Sequence, residues 1–254
     1  MRATFNPTAG AKGGQAREVL EAVAAYDRVA PVYGGFAAKR QAYLDAVDAE
    51  ILQRIPAGSA SLLDVGAGDG RRGSQIAKRA GISRLVLTEP SLGMCKLIPP
   101  GPEVWHARME TLPDSASKFD LVLCLWNVLG HVASRELRVE GLKNLGRNCS
   151  ANGLIFLDVV NRYNVAECGL GIVLKRILWS RETDVLVRWQ TSEGNVETWG
   201  HVFTEGEVEE LVREAGLKVV ERIALHYRTG RRVRRWRGNL LYVLCAGGAR
   251  LTLP

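Results

Sequence analysis

Leu62-Leu63-Asp64-Val65 runs without interruption into Gly66-Ala67-Gly68-Asp69-Gly70, and helical spacing of apolar residues resumes soon after. Glycines at alternate positions straight after an apolar strand permit positive φ and leave the backbone open to close approach by a ligand. The segment therefore predicts a strand, a tight turn and a helix, with a ligand lying over the turn. A strand that feeds a helix in this way belongs to a parallel α/β sheet, where ligands bind at the carboxyl ends of the strands.

The rest of the chain repeats the unit. Apolar runs at 62–65, 85–89, 104–107, 121–125, 154–160, 217–225 and 240–245 read as strands, and 74–80, 136–147 and 205–215 carry apolar residues at helical spacing. Thr204 precedes Glu207 by three residues, a capping-box pair, and Gly216 follows where a helix-ending glycine belongs. Two segments stand outside this alternation. Residues 17–53 read as two helices separated by a break from Ala30-Pro31 to Gly35. Residues 161–203 read as a helix over 169–179 and then a hairpin, with strands at 184–189 and 196–203 around Ser192-Glu193-Gly194-Asn195. Because an insertion after a strand's carboxyl end sits over the ligand crevice, this second segment is expected to be a substrate cap. The expected organisation is a tail and N-terminal helices over 1–58 and one α/β domain over 59–254.

With 254 residues, 46% hydrophobic and 24% charged, the chain can build a sizeable core, which excludes wholesale disorder. Its apolar runs fall far short of the roughly 20 residues of a membrane span. The first residues are polar and Gly-rich, unlike a secretory signal, so a cytoplasmic location is expected. Cys95, Cys124, Cys149, Cys168 and Cys245 form no C-x-x-C pair and are odd in number, so reduced thiols are expected, and no metal site. The net charge of +7 would suit an anionic partner, although charge alone selects none. Its distribution is more informative: Arg228, Arg231, Arg232, Arg234, Arg235 and Arg237 crowd one short stretch.

Glu89 closes the second strand about 20 residues beyond the turn, where a carboxylate can accept ribose hydroxyls. Gly68-x-Gly70-x-x-Gly73 formally matches the dinucleotide pattern, but that pattern opens as the strand ends. Counted from Gly66, Arg71 stands where its third glycine belongs. A ligand with a ribose and no pyrophosphate, such as S-adenosylmethionine, relaxes the demand. Here the sequence resembles the class I S-adenosylmethionine-dependent methyltransferases. Asp64-Val65-Gly66-Ala67-Gly68-Asp69-Gly70 is similar to their first motif and Glu89-Pro90-Ser91 to their second. Phe119-Asp120-Leu121-Val122-Leu123-Cys124, Gly153-Leu154-Ile155-Phe156-Leu157-Asp158 and Ala215-Gly216-Leu217 follow in the family's order.

The resemblance implies a Rossmann-like, mostly parallel seven-stranded sheet whose last strand is antiparallel. It also implies that Gly66, Ala67, Gly68 and Gly70 line the cofactor, that Asp64 orients the loop, and that Glu89 with Pro90 holds the ribose. The adenine segment becomes Arg108-Met109-Glu110-Thr111-Leu112-Pro113, in which Arg108 takes the place of the usual acid while Met109 and Glu110 remain in register. Tyr26-Asp27-x-x-Ala30-x-x-Tyr33 and Arg40 resemble the family's N-terminal helices, so Tyr33 and Arg40 are expected at the methionine carboxylate. Leu125, Trp126 and Asn127 would touch the methionine part.

Methyl transfer from a sulfonium is an in-line displacement, so positioning supplies much of the acceleration, and a base is needed only where the acceptor must lose a proton. His131, at the carboxyl edge after the fourth strand, is the first candidate base; buttressing its loop is the other role that fits it. His201, beside the cap, is the second. Asn161 and Tyr163, entering the cap, and Arg231 and Arg235, in the arginine loop, are candidate substrate contacts. The expected activity is methyl transfer to nitrogen or oxygen of a small, anionic molecule by a monomer or homodimer. Two alternatives stay open: an RNA-modifying methyltransferase, since Gly68-Asp69-Gly70-Arg71 also resembles wobble-uridine tRNA enzymes, and a non-catalytic cofactor-binding partner subunit.

Overall fold

The computed structural model describes residues 19–179, 183–192 and 194–247. Seven strands, β1 (Ser61–Val65), β2 (Arg84–Thr88), β3 (Glu103–Trp105), β4 (Phe119–Cys124), β5 (Cys149–Val159), β8 (Leu217–Leu225) and β9 (Asn239–Ala246), form one sheet in the order β3-β2-β1-β4-β5-β9-β8. Neighbours from β3 to β5 pair parallel, and β9 runs antiparallel to both β5 and β8. The expected architecture is present. The order reverses between β1 and β4, and that switch point opens a crevice at the carboxyl edge.

Both faces of the sheet are covered, so its central strands are apolar on every side chain rather than on alternate ones. Along β5, Ile155, Leu157 and Val159 pack with residues of α6 (Arg135–Asn148) and α9 (Glu205–Glu214), while Leu154 and Phe156 pack with Tyr43, Val47 and Ile51 of α3 (Gln41–Leu52). Thr204 caps α9 by accepting from the Glu207 N–H at 3.1 Å, as its spacing predicts. Cys124, Cys149 and Cys245 are buried, Cys95 and Cys168 half-buried, and all five are free thiols.

The N-terminal region differs from expectation. Of residues 17–53, 17 and 18 lie outside the described residues, and the rest forms three helices: α1 (Ala22–Val29), α2 (Tyr33–Ala38) and α3. The expected break at 30–35 is a single 3-10 turn over Ala30–Val32, and the real bend falls at Lys39 and Arg40. Gly34 and Gly35 disfavour a helix by propensity, yet α2 sits against the glycine turn, where Tyr33 reaches Gly68.

The cap contains α7 (Val165–Cys168), α8 (Leu170–Leu178) and a hairpin of β6 (Asp184–Thr191) and β7 (Gly194–His201). The hairpin joins the N-terminus: Leu20 N donates to the Glu197 carbonyl at 2.9 Å, and Thr198 Oγ1 donates to the Leu20 carbonyl at 2.8 Å. Ala25 and Val29 of α1 pack against Trp189 and Val196 of the hairpin. Parts of the two segments outside the alternating core, α1 and the hairpin, thus form one lid over the carboxyl edge. Among the described residues no helix is long and apolar enough to cross a membrane.

Candidate active site

Gly66, Gly68 and Gly70 have φ of 70°, 60° and 72°, the left-handed region that a side chain disfavours. A Cβ on Gly66 would stand 2.6 Å from Val128 Cγ2, and one on Gly68 would stand 3.1 Å from the Tyr33 hydroxyl. The turn is held from the next strand. Gly66 N and Ala67 N both donate to the Thr88 carbonyl at 2.9 Å. Gly68 N donates to Glu89 Oε2 at 2.8 Å, and Ser91 N donates to Oε1 at 2.9 Å. Two backbone donors fix the Glu89 carboxyl, while burial pushes its pKa up to about 7.

A cavity opens over this turn. Tyr33, Gly66, Gly68, Glu89 and Pro90 form one side of its wall. Met109, Glu110, Leu125, Trp126 and His131 form much of the other. The open glycine backbone beside a fixed, desolvated carboxyl suits a ribose. The lid closes the cavity with Ala22, Val23 and Tyr26 of α1, none of which had been a candidate. Arg108 also lines it and pairs with Glu21 at 2.8 Å, so the residue that departs from the adenine pattern ties the lid to the cavity rim.

Other sequence candidates lie elsewhere. Asp64 points beneath α4 (Arg71–Ala80), close to Gly73, where burial raises its pKa to about 7; it underpins the turn without lining the cavity. Ala67 and Gly70 are also outside the lining, Gly70 backing onto Leu87 and Ile98. Asn127 is occupied by the protein: its Nδ2 donates to the His201 carbonyl at 3.1 Å and its Oδ1 accepts from Val160 N at 3.0 Å. Arg40 stacks 4.3 Å from the Tyr227 ring centre and lies 3.8 Å from Glu167, off the cavity wall.

His201 is a correction. Its ring is held between Asp184 and Glu207, each at 2.6 Å, and does not line the cavity. Asn161 is saturated, because Nδ2 donates to the carbonyls of Arg235 and Gly238 while Oδ1 accepts from Tyr163 N. Arg235 pairs with Glu205 at 2.7 Å, Arg232 with Glu50 at 2.5 Å and Arg228 with Glu167 at 3.2 Å. Arg231 accepts the His226 N–H through its carbonyl. Neither Tyr163, Arg231 nor Arg235 reaches the cavity. Half of the arginine loop is thus neutralised by carboxylates from distant segments.

His131 does face the cavity. Its Nε2 lies 3.2 Å from the Tyr26 hydroxyl and the rings meet edge to face at 5.4 Å. Burial draws its pKa down to about 4, against the pull of the Trp199 backbone, so the imidazole is neutral at pH 7.

A family model described as a methyltransferase domain matches residues 36–222, most of the chain. The chain belongs to this family, the S-adenosylmethionine-dependent methyltransferases. Solved methyltransferases share its fold at low identity. The CcbJ methyltransferase from Streptomyces caelestis aligns with a TM-score of 0.66 and 15% identity, over 87% of this chain and 97% of its own. The amino pentose methyltransferase CalS10 from Micromonospora echinaspora, solved with S-adenosylmethionine bound, gives 0.57 and 19% over 84% and 96%. The sugar N-methyltransferase KedS8 from Streptoalloteichus sp gives 0.59 and 17% over 95% and 100%. Among curated proteins no sequence matches this methyltransferase.

Proposed function

We propose that this methyltransferase acts on a nitrogen or oxygen of a small molecule, with His131 as the group that takes the acceptor's proton. The observation that carries the reading is the neutral His131 ring on the cavity wall with Tyr26 at its Nε2. Glu89 would hold the ribose, the Gly66 and Gly68 backbone would admit the cofactor against the turn, and Met109 with Glu110 would face the adenine. When bound, S-adenosylmethionine supplies an electrophilic methyl group on a sulfonium. The single lone pair of the neutral imidazole faces Tyr26 at Nε2, so a proton leaving a hydroxyl or ammonium would pass to the Tyr26 phenol oxygen as the phenol passes its own proton to the ring. The lid of α1 and the hairpin packs beside this pair, which is half-buried. The sugar and amino pentose methyltransferases among the similar folds support a small acceptor, and the pairing of Arg228, Arg232 and Arg235 with carboxylates reduces the charge open to an RNA backbone.

The test is to incubate the protein with methyl-labelled S-adenosylmethionine and either the metabolite fraction below about 1 kDa or the tRNA pool. Mass spectrometry should find the label in one small compound and not in tRNA. Label confined to nucleosides of tRNA would replace this reading, and no labelled product from either pool would refute it.

A further inference from the structure

The lid helix α1 and the carboxyl of Glu89 meet through one serine. Ser91 is fully buried, and its backbone N–H donates to Glu89 Oε1 at 2.9 Å. Its hydroxyl serves α1 instead. Ser91 Oγ donates to Asp27 Oδ1 at 2.6 Å and accepts from Met94 N at 3.1 Å, which caps α5 (Leu92–Cys95). A hydroxyl donating to a carboxylate at this length is charge-assisted, one of the stronger kinds of hydrogen bond. The same Asp27 oxygen accepts from Gly93 N at 2.8 Å.

Gly93 shows how closely the two helices approach. A Cβ there would stand 2.9 Å from the Asp27 carbonyl oxygen and 3.0 Å from its Cα, closer than a side chain tolerates. The backbone of α1 is thus seated on α5, with Asp27 clasping the first turn. Glu89 is held from two directions. Its Oε2 is fixed by the glycine turn, through Gly68 N at 2.8 Å, whereas the hold on Oε1 depends on where Ser91 stands. Tyr26, Glu89 and Pro90 line the cofactor cavity, so the clasp lies directly behind its wall. Tyr26 meets His131, so two consecutive residues of α1 reach the candidate base and, through Ser91, the candidate ribose acid.

We infer that Asp27 is a positioning residue for the cofactor, which through Ser91 aims the Glu89 carboxyl at the ribose hydroxyls. This rests on the reading of Glu89 as the ribose acid. Asp27 itself stays off the cavity wall and touches neither cofactor nor acceptor. What it supplies is an acceptor oxygen. Its charge works against the site, because burial and then the Asp27 carboxylate push the Glu89 pKa up. An amide at position 27 would keep the Oδ1 that takes both bonds.

The probes are S-adenosylhomocysteine and its 2′,3′-dideoxy analogue, titrated by calorimetry, and the quantity read is the Kd of the analogue divided by that of the parent ligand. A site that accepts ribose hydroxyls rejects the analogue that lacks them, so the ratio in the unaltered protein should be at least ten. Asp27→Ala should lower it at least threefold, and Asp27→Asn should keep it within about twofold. Ser91→Ala, which retains the N–H to Glu89 and removes the hydroxyl, should match Asp27→Ala and covers the case in which that variant fails to fold. The double variant should fall no further than either alone. A smaller fall than threefold in Asp27→Ala and Ser91→Ala overturns the inference. Equal losses in Asp27→Asn and Asp27→Ala overturn it too, by assigning the effect to charge, and additive losses in the double variant do so by separating the two residues. An unaltered protein that binds both probes alike defeats the ribose reading of Glu89 first; a large ratio that no variant changes defeats this inference alone.

Discussion

Tyr43 donates its hydroxyl to Asp158 Oδ1 at 2.5 Å, and the other oxygen of that carboxyl accepts from Trp126 N at 3.0 Å. The Asp158 carbonyl also accepts from Asn127 N at 2.9 Å. One buried acid at the end of β5 thus fixes the left-handed Trp126-Asn127 turn that walls the cofactor cavity, and a tyrosine of α3 fixes the acid. Tyr43→Phe leaves a buried carboxyl oxygen without its donor, which should cost about 1–3 kcal/mol. Urea denaturation should show a lower midpoint with an unchanged slope. S-adenosylhomocysteine should also bind several-fold more weakly; an unaltered Kd would mean that the turn holds its shape without Tyr43.

Gly68→Ala tests whether the cofactor lies over the glycine turn. The substitution forces an alanine into φ of 60° and sets its Cβ 3.1 Å from the Tyr33 hydroxyl, at the face where a ligand would approach. Affinity for S-adenosylhomocysteine by calorimetry should fall at least tenfold. Gly206→Ala is the control, since Gly206 lies in α9 at ordinary φ with open space around it, and it should change stability by no more than about 1 kcal/mol. Equal binding by both variants would place the cofactor elsewhere.

The buried acids give stability a pH dependence whose sign is fixed. Burial raises Asp64 from 3.8 to about 7 and Glu89 from 4.5 to about 7. Between about pH 5 and 7 the native protein therefore keeps protons that the unfolded chain has released. Each group lowers stability with rising pH by about 1.4 kcal/mol per unit. His131 acts in the opposite sense: its native pKa near 4 lies below 6.5, so its share of stability is lost as pH falls through that interval. Asp64→Asn, a neutral isostere, isolates one acid. The variant's stability minus that of the parent should grow by about 1.4 kcal/mol per unit from pH 5 to 7, read from urea midpoints. Parallel curves would show that Asp64 ionises at its ordinary pKa beside Arg72.

What the sequence made legible was local. The strand at 217–225 has the bounds that its apolar run predicts, and Thr204 caps α9 as its spacing to Glu207 requires. The glycine turn and Glu89 could be read for the same reason: adjacent residues carry both the conformation and the chemistry. Partners distant in sequence were illegible. Arg232 meets Glu50 across 182 positions, so a loop that read as a bare basic patch is in part paired. His201 looked free to face an acceptor because neither Asp184 nor Glu207 announces itself as its partner. Arg40 matched a family pattern, yet its guanidinium settled on the Tyr227 ring, 187 residues away in the chain. The cap was expected, but its union with the N-terminus was not, because Leu20 and Thr198 pair across the molecule without a motif.

His131 and Tyr26 give the last prediction, the one aimed at the chemistry. His131→Ala should lower the turnover of labelled product about 100-fold while the Kd for S-adenosylhomocysteine stays within about threefold, because the ring meets the acceptor's proton and the turn and Glu89 carry cofactor binding. Tyr26→Phe keeps the ring that packs 5.4 Å from His131 and from Trp189 and removes only the hydroxyl, so its loss should be smaller, about tenfold. With the native pKa drawn down to about 4, the basic form of His131 is present at every pH above about 5. The pH–rate profile should therefore lack an inflection near 6.5. Such an inflection in the parent that vanishes in His131→Ala would show that burial does not hold the ring's pKa down during turnover, and full turnover by His131→Ala would remove the imidazole from the reaction.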